Sequence, residues 1–148
     1  MTTLLNEITV NAPIEKIWTA LSNIEELENY DPAVRKSVAL SQAKSGIGAT
    51  RKVNMKDGKN WFEEKVTACK PYKILSYELT ACTFPIRKLK HSYSFEQTGN
   101  QVKVKLVMEY QVKFGLLGKV LDGLMIRKLS DNGIKKFFSG LKSYSERR

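Results

Sequence analysis

The sequence predicts an α+β fold: a curved seven-stranded antiparallel sheet around one long C-terminal helix, with two short helices after the first strand. Three observations carry this expectation. Six strand-like runs fill positions 34–113, and the last two alternate cleanly between apolar and polar residues. One long helical candidate, about 116–145, follows them, and a short strand before residue 11 runs straight into a helical pattern. An antiparallel sheet with one wet face must cover the other, and only one long helix is available to do so.

The elements follow in order. Ile8-Thr9-Val10 passes through Asn11-Ala12-Pro13 into a helix whose Ile14, Ile17, Trp18 and Leu21 share a buried face. Asn11 can cap this helix, and Pro13 suits its first turn because it has no N–H to leave unpaired. A second short helical pattern ends at Leu27-Glu28-Asn29-Tyr30-Asp31-Pro32, stopped by the proline. The strand-like runs are Val34 to Leu40, Ala49 to Met55, Asn60 to Ala68, Lys73 to Thr80, Leu89 to Gln97 and Gln101 to Lys113. Asp57-Gly58 and Thr98-Gly99-Asn100 mark hairpins. His91, Tyr93 and Phe95 share one face, as do Val102, Val104, Leu106, Met108, Tyr110 and Val112.

In the final segment Leu117, Val120, Leu121 and Leu124 form an apolar stripe, continued by Ile134, Phe138 and Leu141. Arg127 and Asp131 stand four apart and can pair, and Asn132-Gly133 weakens the helix, so a kink is expected there. Such a helix either packs on a solid core with a polar interruption or passes over a cavity at that point.

The 148 residues suit one domain spanning 1–148. Met1 to Leu5 lacks the regions of a signal peptide and no stretch is long and apolar enough for a bilayer, so a cytoplasmic location is expected. Cys69 and Cys82 belong to no CxxC pair and read as reduced structural residues. The net charge is +10, with −5 on residues 1–31 and +15 on the rest. Many lysines alternate with apolar residues, as in Val102-Lys103-Val104-Lys105-Leu106, which is how the wet face of a sheet reads. An anionic membrane surface stays open as a partner. Nucleic acid is not expected, since no recognised reader motif or regular stacking platform is present. The oligomeric state is left open.

Phosphate-binding glycine loops, HExxH, paired CxxC motifs and the Gly-x-Ser-x-Gly elbow are all absent from the sequence. No metal or cofactor is expected. The single histidine, His91, is either a satisfied structural residue or a ligand-facing acid/base group. If Val66 points inward so do Glu64 and Phe62, and if Val53 and Met55 point inward so does Arg51. The hairpin makes these strands neighbours, so Arg51 and Glu64 pair either as a structural ion pair or as a polar anchor in a pocket. Trp61 or Phe62, with Tyr77, Phe84, Tyr93 and Tyr110, supplies aromatic surface for a core or for a pocket. Thr83 to Lys90 mixes aromatic and basic residues and is the best candidate for a mouth loop or an anionic-surface contact.

The opening Ala12-Pro13-Ile14-Glu15-Lys16-Ile17-Trp18, the Gly46-Ile47-Gly48 element before a strand, and Glu64-Lys65-Val66 leading to Pro71 carry a resemblance. With the order of elements over nearly the whole chain, they resemble the START/Bet v 1-like (SRPBCC) superfamily, which includes polyketide cyclase/dehydrase-like domains. The resemblance implies a helix-grip fold closing on an apolar cavity. It implies binding or transport of a small hydrophobic or amphipathic ligand (lipid, polyketide or isoprenoid-like), whose site is expected at Arg51, Met55, Phe62, Glu64, Tyr77, His91, Tyr93, Met108, Tyr110, Leu117, Leu121 and Leu124. The alternatives are a cofactor-independent cyclase/dehydratase with His91, Glu64 and Tyr93 as candidate catalytic groups, and a basic protein- or membrane-interaction module.

Overall fold

A computed structural model describes residues 1–147, except for the side chain of Leu124. The strands are β1 (Thr2–Val10), β2 (Val34–Ala39), β3 (Thr50–Met55), β4 (Trp61–Lys70), β5 (Ile74–Cys82), β6 (Ile86–Thr98) and β7 (Gln101–Val112). They form one antiparallel sheet in the order β1-β7-β6-β5-β4-β3-β2. Helix α1 (Ile14–Ser22) and a 3-10 turn (Leu27–Asn29) carry the chain from one sheet edge to the other. Each of β3 to β7 then pairs with its predecessor, as short antiparallel connections require.

Alternation decides which side chains face the core. Along β7, Val102, Val104, Leu106, Met108 and Tyr110 are buried and the residues between them are not. Val53, Val66, Leu75 and Tyr77 join them from β3, β4 and β5. The other half of the core is Ile17, Leu21 and Ile24 beside Ile134, Phe137, Phe138 and Leu141 of the C-terminal helix. Burying each of these larger apolar side chains stabilises the fold by about 1.5–3 kcal/mol before entropy is counted.

The start of α1 differs from expectation. Pro13 is itself the cap residue, extended at φ −62° and ψ 142°, and no side chain caps the helix. Its carbonyl accepts from the N–H groups of Lys16 and Ile17, which places the helix start beyond the reach of an Asn11 cap.

The C-terminal segment is α2 (Gly115–Leu121), a π-helical turn (Asp122–Ile126) and α3 (Arg127–Ser145). The irregularity therefore lies before the expected Asn132-Gly133 kink, and α3 runs through Gly133 without a break. Its position matches a specific anchor: Asp122 is buried and accepts hydrogen bonds from the hydroxyls of Tyr110 and of Thr2, the latter at 2.7 Å. Arg127 does not pair with Asp131. That carboxylate instead takes Lys135 at 3.0 Å and the amide of Asn6 at 3.0 Å. Further along, α3 closes directly on the 3-10 turn, where a Cβ on Gly140 would lie 1.8 Å from the carbonyl oxygen of Tyr30. Among the described residues, no helix is long and apolar enough to cross a membrane.

Candidate functional site

Between the inner face of β3–β7 and the C-terminal helix lies a pocket of ≈ 480 Å³. The sheet wall is Arg51, Met55, Phe62, Glu64, Tyr77, Leu79, Cys82, Leu89, His91, Tyr93, Leu106 and Met108, and Phe84, Pro85 and Ile86 extend it where β6 begins. Met125, Ile126, Leu129, Ser130, Gly133, Ile134 and Phe137 supply the helix wall. Leu27, Asp31 and Ala33 close the end beneath the 3-10 turn. Apolar walls with a few convergent polar groups are the usual make-up of a small-molecule site.

The polar groups gather at the buried end. Arg51 and Glu64 are cross-strand partners on β3 and β4, which brings their side chains to the same face. Arg51 Nε donates to Glu64 Oε1 at 2.8 Å and Nη2 lies 2.5 Å from the same oxygen. Both residues are 5% exposed or less, so neither charge could stay there unpaired. The guanidinium also lies 4.4 Å from the centroid of the Tyr77 ring, which adds a cation–π contact. Burial works to lower the Arg51 pKa, but Glu64, Tyr77 and Tyr30 together outweigh it and the net shift is upward. Tyr77 in turn donates its hydroxyl to the carbonyl of Leu21 at 2.6 Å, and burial pushes its pKa up to about 12.

His91 and Tyr93 complete this end. His91 sits in a ladder row between Tyr77 and Met108, and its ring stacks on that of Tyr93 with centroids 6.5 Å apart. Burial lowers the His91 pKa, so the imidazole is neutral at pH 7, and burial raises that of Tyr93 well above the phenol range. Among the described residues neither side chain has a protein hydrogen-bond partner, although both line the pocket. Asp31, which closes the pocket beneath the 3-10 turn, has its carboxyl raised by burial against the opposing N–H of Ala33 at 3.0 Å.

Of the residues expected at the site, Arg51, Met55, Phe62, Glu64, Tyr77, His91, Tyr93 and Met108 come together around the pocket. Tyr110 does not reach it: the side chain is fully buried, but its hydroxyl is taken by Asp122, and burial with that bond pushes its pKa up to about 12. Leu117 and Leu121 are corrections. They are exposed and outside the pocket, because α2 holds that face away from the sheet. The Leu124 side chain lies outside the described residues. Sequence reasoning missed Leu79 and Leu89, which alternation with Tyr77 and His91 signals, and Asp31, read only as the end of a helix. It also missed Met125, Leu129 and Phe137, whose inward register depends on the π turn.

The family described as polyketide cyclase/dehydrase and lipid transport matches residues 1–146. No curated protein matches the sequence. Among solved structures, the Zhui aromatase/cyclase of Streptomyces sp. R1128 superposes with a TM-score of 0.83 at 11% identity, covering 99% of this chain and 94% of that one. A START superfamily protein of Mycobacterium smegmatis gives 0.79 at 15% identity, with 97% of each chain covered. Ara h 8.0201 gives 0.76 at 20% identity, again with 97% of each chain covered. At these identities the likeness is one of fold, and the observed sheet, short helices and C-terminal helix are the helix-grip architecture.

Proposed function

We propose that this chain, which belongs to the polyketide cyclase/dehydrase and lipid-transport family, binds a small apolar ligand with an uncharged, hydrogen-bonding head. The observation that carries this reading is the composition of the pocket's buried end. Arg51 is already neutralised by Glu64 and covered by Tyr77, so it offers no free cation. His91 is neutral, and the other acidic group in the wall is Asp31. A ligand carboxylate would meet an ion pair that is already neutralised, the Asp31 carboxyl and no unpaired cation, which is costly at low dielectric. A carbonyl or hydroxyl can bond to the His91 imidazole and the Tyr93 hydroxyl, while its tail lies against Met55, Phe62, Met108 and Leu129. The volume of ≈ 480 Å³ falls within the usual range for such ligands.

Displacement of an apolar fluorescent probe tests this reading. Long-chain alcohols and methyl esters should displace it more effectively than the matching fatty acids at pH 8. A fatty acid that binds as tightly as its alcohol would overturn the uncharged-head reading. Native mass spectrometry of protein purified from its host would then identify a retained compound.

A second reading rests on the stacked His91 and Tyr93, both facing the pocket without protein partners. A neutral imidazole beside a phenol can move a proton at a substrate carbonyl, the step that a cofactor-independent cyclase or dehydratase needs. Incubation with a poly-β-ketone substrate separates the two readings. A carrier returns it unchanged, whereas an enzyme yields a product of lower mass by loss of water, and His91→Asn abolishes the conversion.

A further inference from the structure

We propose that the exposed apolar face of α2 and the π turn seats the protein on a membrane surface rich in anionic lipid. Phe114, Leu116, Leu117 and Val120 are 62%, 80%, 63% and 57% exposed, and Met125 and Leu129 are 58% and 61% exposed. Helical spacing puts residues 116, 117 and 120 on one side of α2. Single exposed apolar residues are ordinary on soluble proteins, but a contiguous run of this kind marks an interaction surface.

Charge decides the occupant. Lys113, Lys119, Arg127 and Lys128 flank this face, all exposed, and none forms a salt bridge among the described residues. The one carboxylate in the stretch, Asp122, is buried and bonded to Tyr110 and Thr2. The stretch 113–128 therefore carries four exposed cations and no exposed carboxylate. A second copy docked on the same face by a twofold axis would bring like charges together. Anionic headgroups neutralise them while the leucines enter the acyl boundary, as in interfacial amphipathic helices.

The face also leads to the pocket. Met125 and Leu129 belong both to the exposed run and to the pocket wall. The loop carrying Phe84 and Pro85 is tied to the start of α2 by the Lys113 N–H donating to the Pro85 carbonyl at 3.0 Å. A membrane contacted here lies against the pocket mouth, so an apolar ligand could pass between bilayer and cavity without crossing water.

The test uses the full chain without added ligand, so it does not depend on the pocket's occupant. Wild-type protein should co-sediment with phosphatidylcholine vesicles containing phosphatidylglycerol, less as salt rises, and not with phosphatidylcholine alone. Lys119→Glu with Arg127→Glu should weaken partitioning by at least about tenfold, since each basic residue near the surface counts for several-fold. Leu117→Ser with Val120→Ser should weaken it similarly, and Lys105→Glu on the outer face of the sheet should change it little. A Leu117→Trp variant reports insertion directly through a blue shift of its added emission on anionic vesicles. Equal binding to both vesicle types, loss as large for Lys105→Glu, or no Trp shift would overturn the proposal. So would a dimer in solution that Leu117→Ser with Val120→Ser dissolves, without any vesicle binding.

Discussion

The two walls of the pocket obey different rules. On the sheet side, neighbouring residues must point to opposite faces, so one inward residue determines every second one along the strand. Arg51, Val53 and Met55 on β3, and Phe62, Glu64 and Val66 on β4, follow that rule, and the hairpin places Arg51 opposite Glu64. On the helix side, the apolar stripe of α2 does not reach the pocket, whereas Met125, Leu129 and Phe137 do. The π turn between them changes the helical phase, so periodicity read upstream does not transfer downstream. A strand's face is a local property. A helix's face depends on where the helix is anchored.

The sharpest test of the sheet wall is its ion pair. Glu64→Gln or Arg51→Met should each destabilise by about 3–5 kcal/mol, because the partner is left charged and buried. The double variant should cost less than the sum, with coupling of at least ~1 kcal/mol in denaturant unfolding. Additive costs would mean that the two side chains do not meet in solution.

The contrast between walls is tested by filling space. Met108→Trp, in the sheet wall, should reduce affinity for an apolar probe by filling the space that the probe occupies. Leu121→Trp, on the exposed face of α2, should leave it unchanged. Equal losses in the two variants would put α2 back over the pocket.

Helix anchoring is addressed by Tyr110→Phe, which removes the bond to Asp122 and leaves the carboxylate with Thr2 alone. A loss of about 1–3 kcal/mol is expected. Amide hydrogen exchange should quicken in residues 115–126 more than in β3 to β5. Uniform quickening would mean that the bond does not position the helix in particular.

The smallest effect concerns pH. Burial lowers the His91 pKa from its ordinary value of 6.5, so below that pH the unfolded chain takes up a proton that the folded chain resists. The contribution is fully present above about pH 6.5 and is lost as pH falls towards the folded-state pKa. His91→Asn should flatten the pH dependence of stability in that window relative to wild type. An unchanged slope would place the imidazole in water.

Sequence alone was enough for the order of elements along the chain, the faces of the strands and the inward placement of Arg51 beside Glu64. Each of these follows from alternation and hairpin chemistry within a few residues. Thr83 to Lys90, expected as a mouth loop or an anionic-surface contact, is only in part a loop: β6 begins at Ile86, and Phe84, Pro85 and Ile86 line the pocket. Which part of the C-terminal helix faces the pocket is settled by contacts distant in sequence. Asp122 is anchored by Tyr110 and by Thr2, the latter 120 positions away, and no local pattern announces that partnership. Asp31 joined the site for the same reason. Its place depends on α1 and the 3-10 turn folding back over the sheet, a long-range packing event that short-range periodicity does not encode.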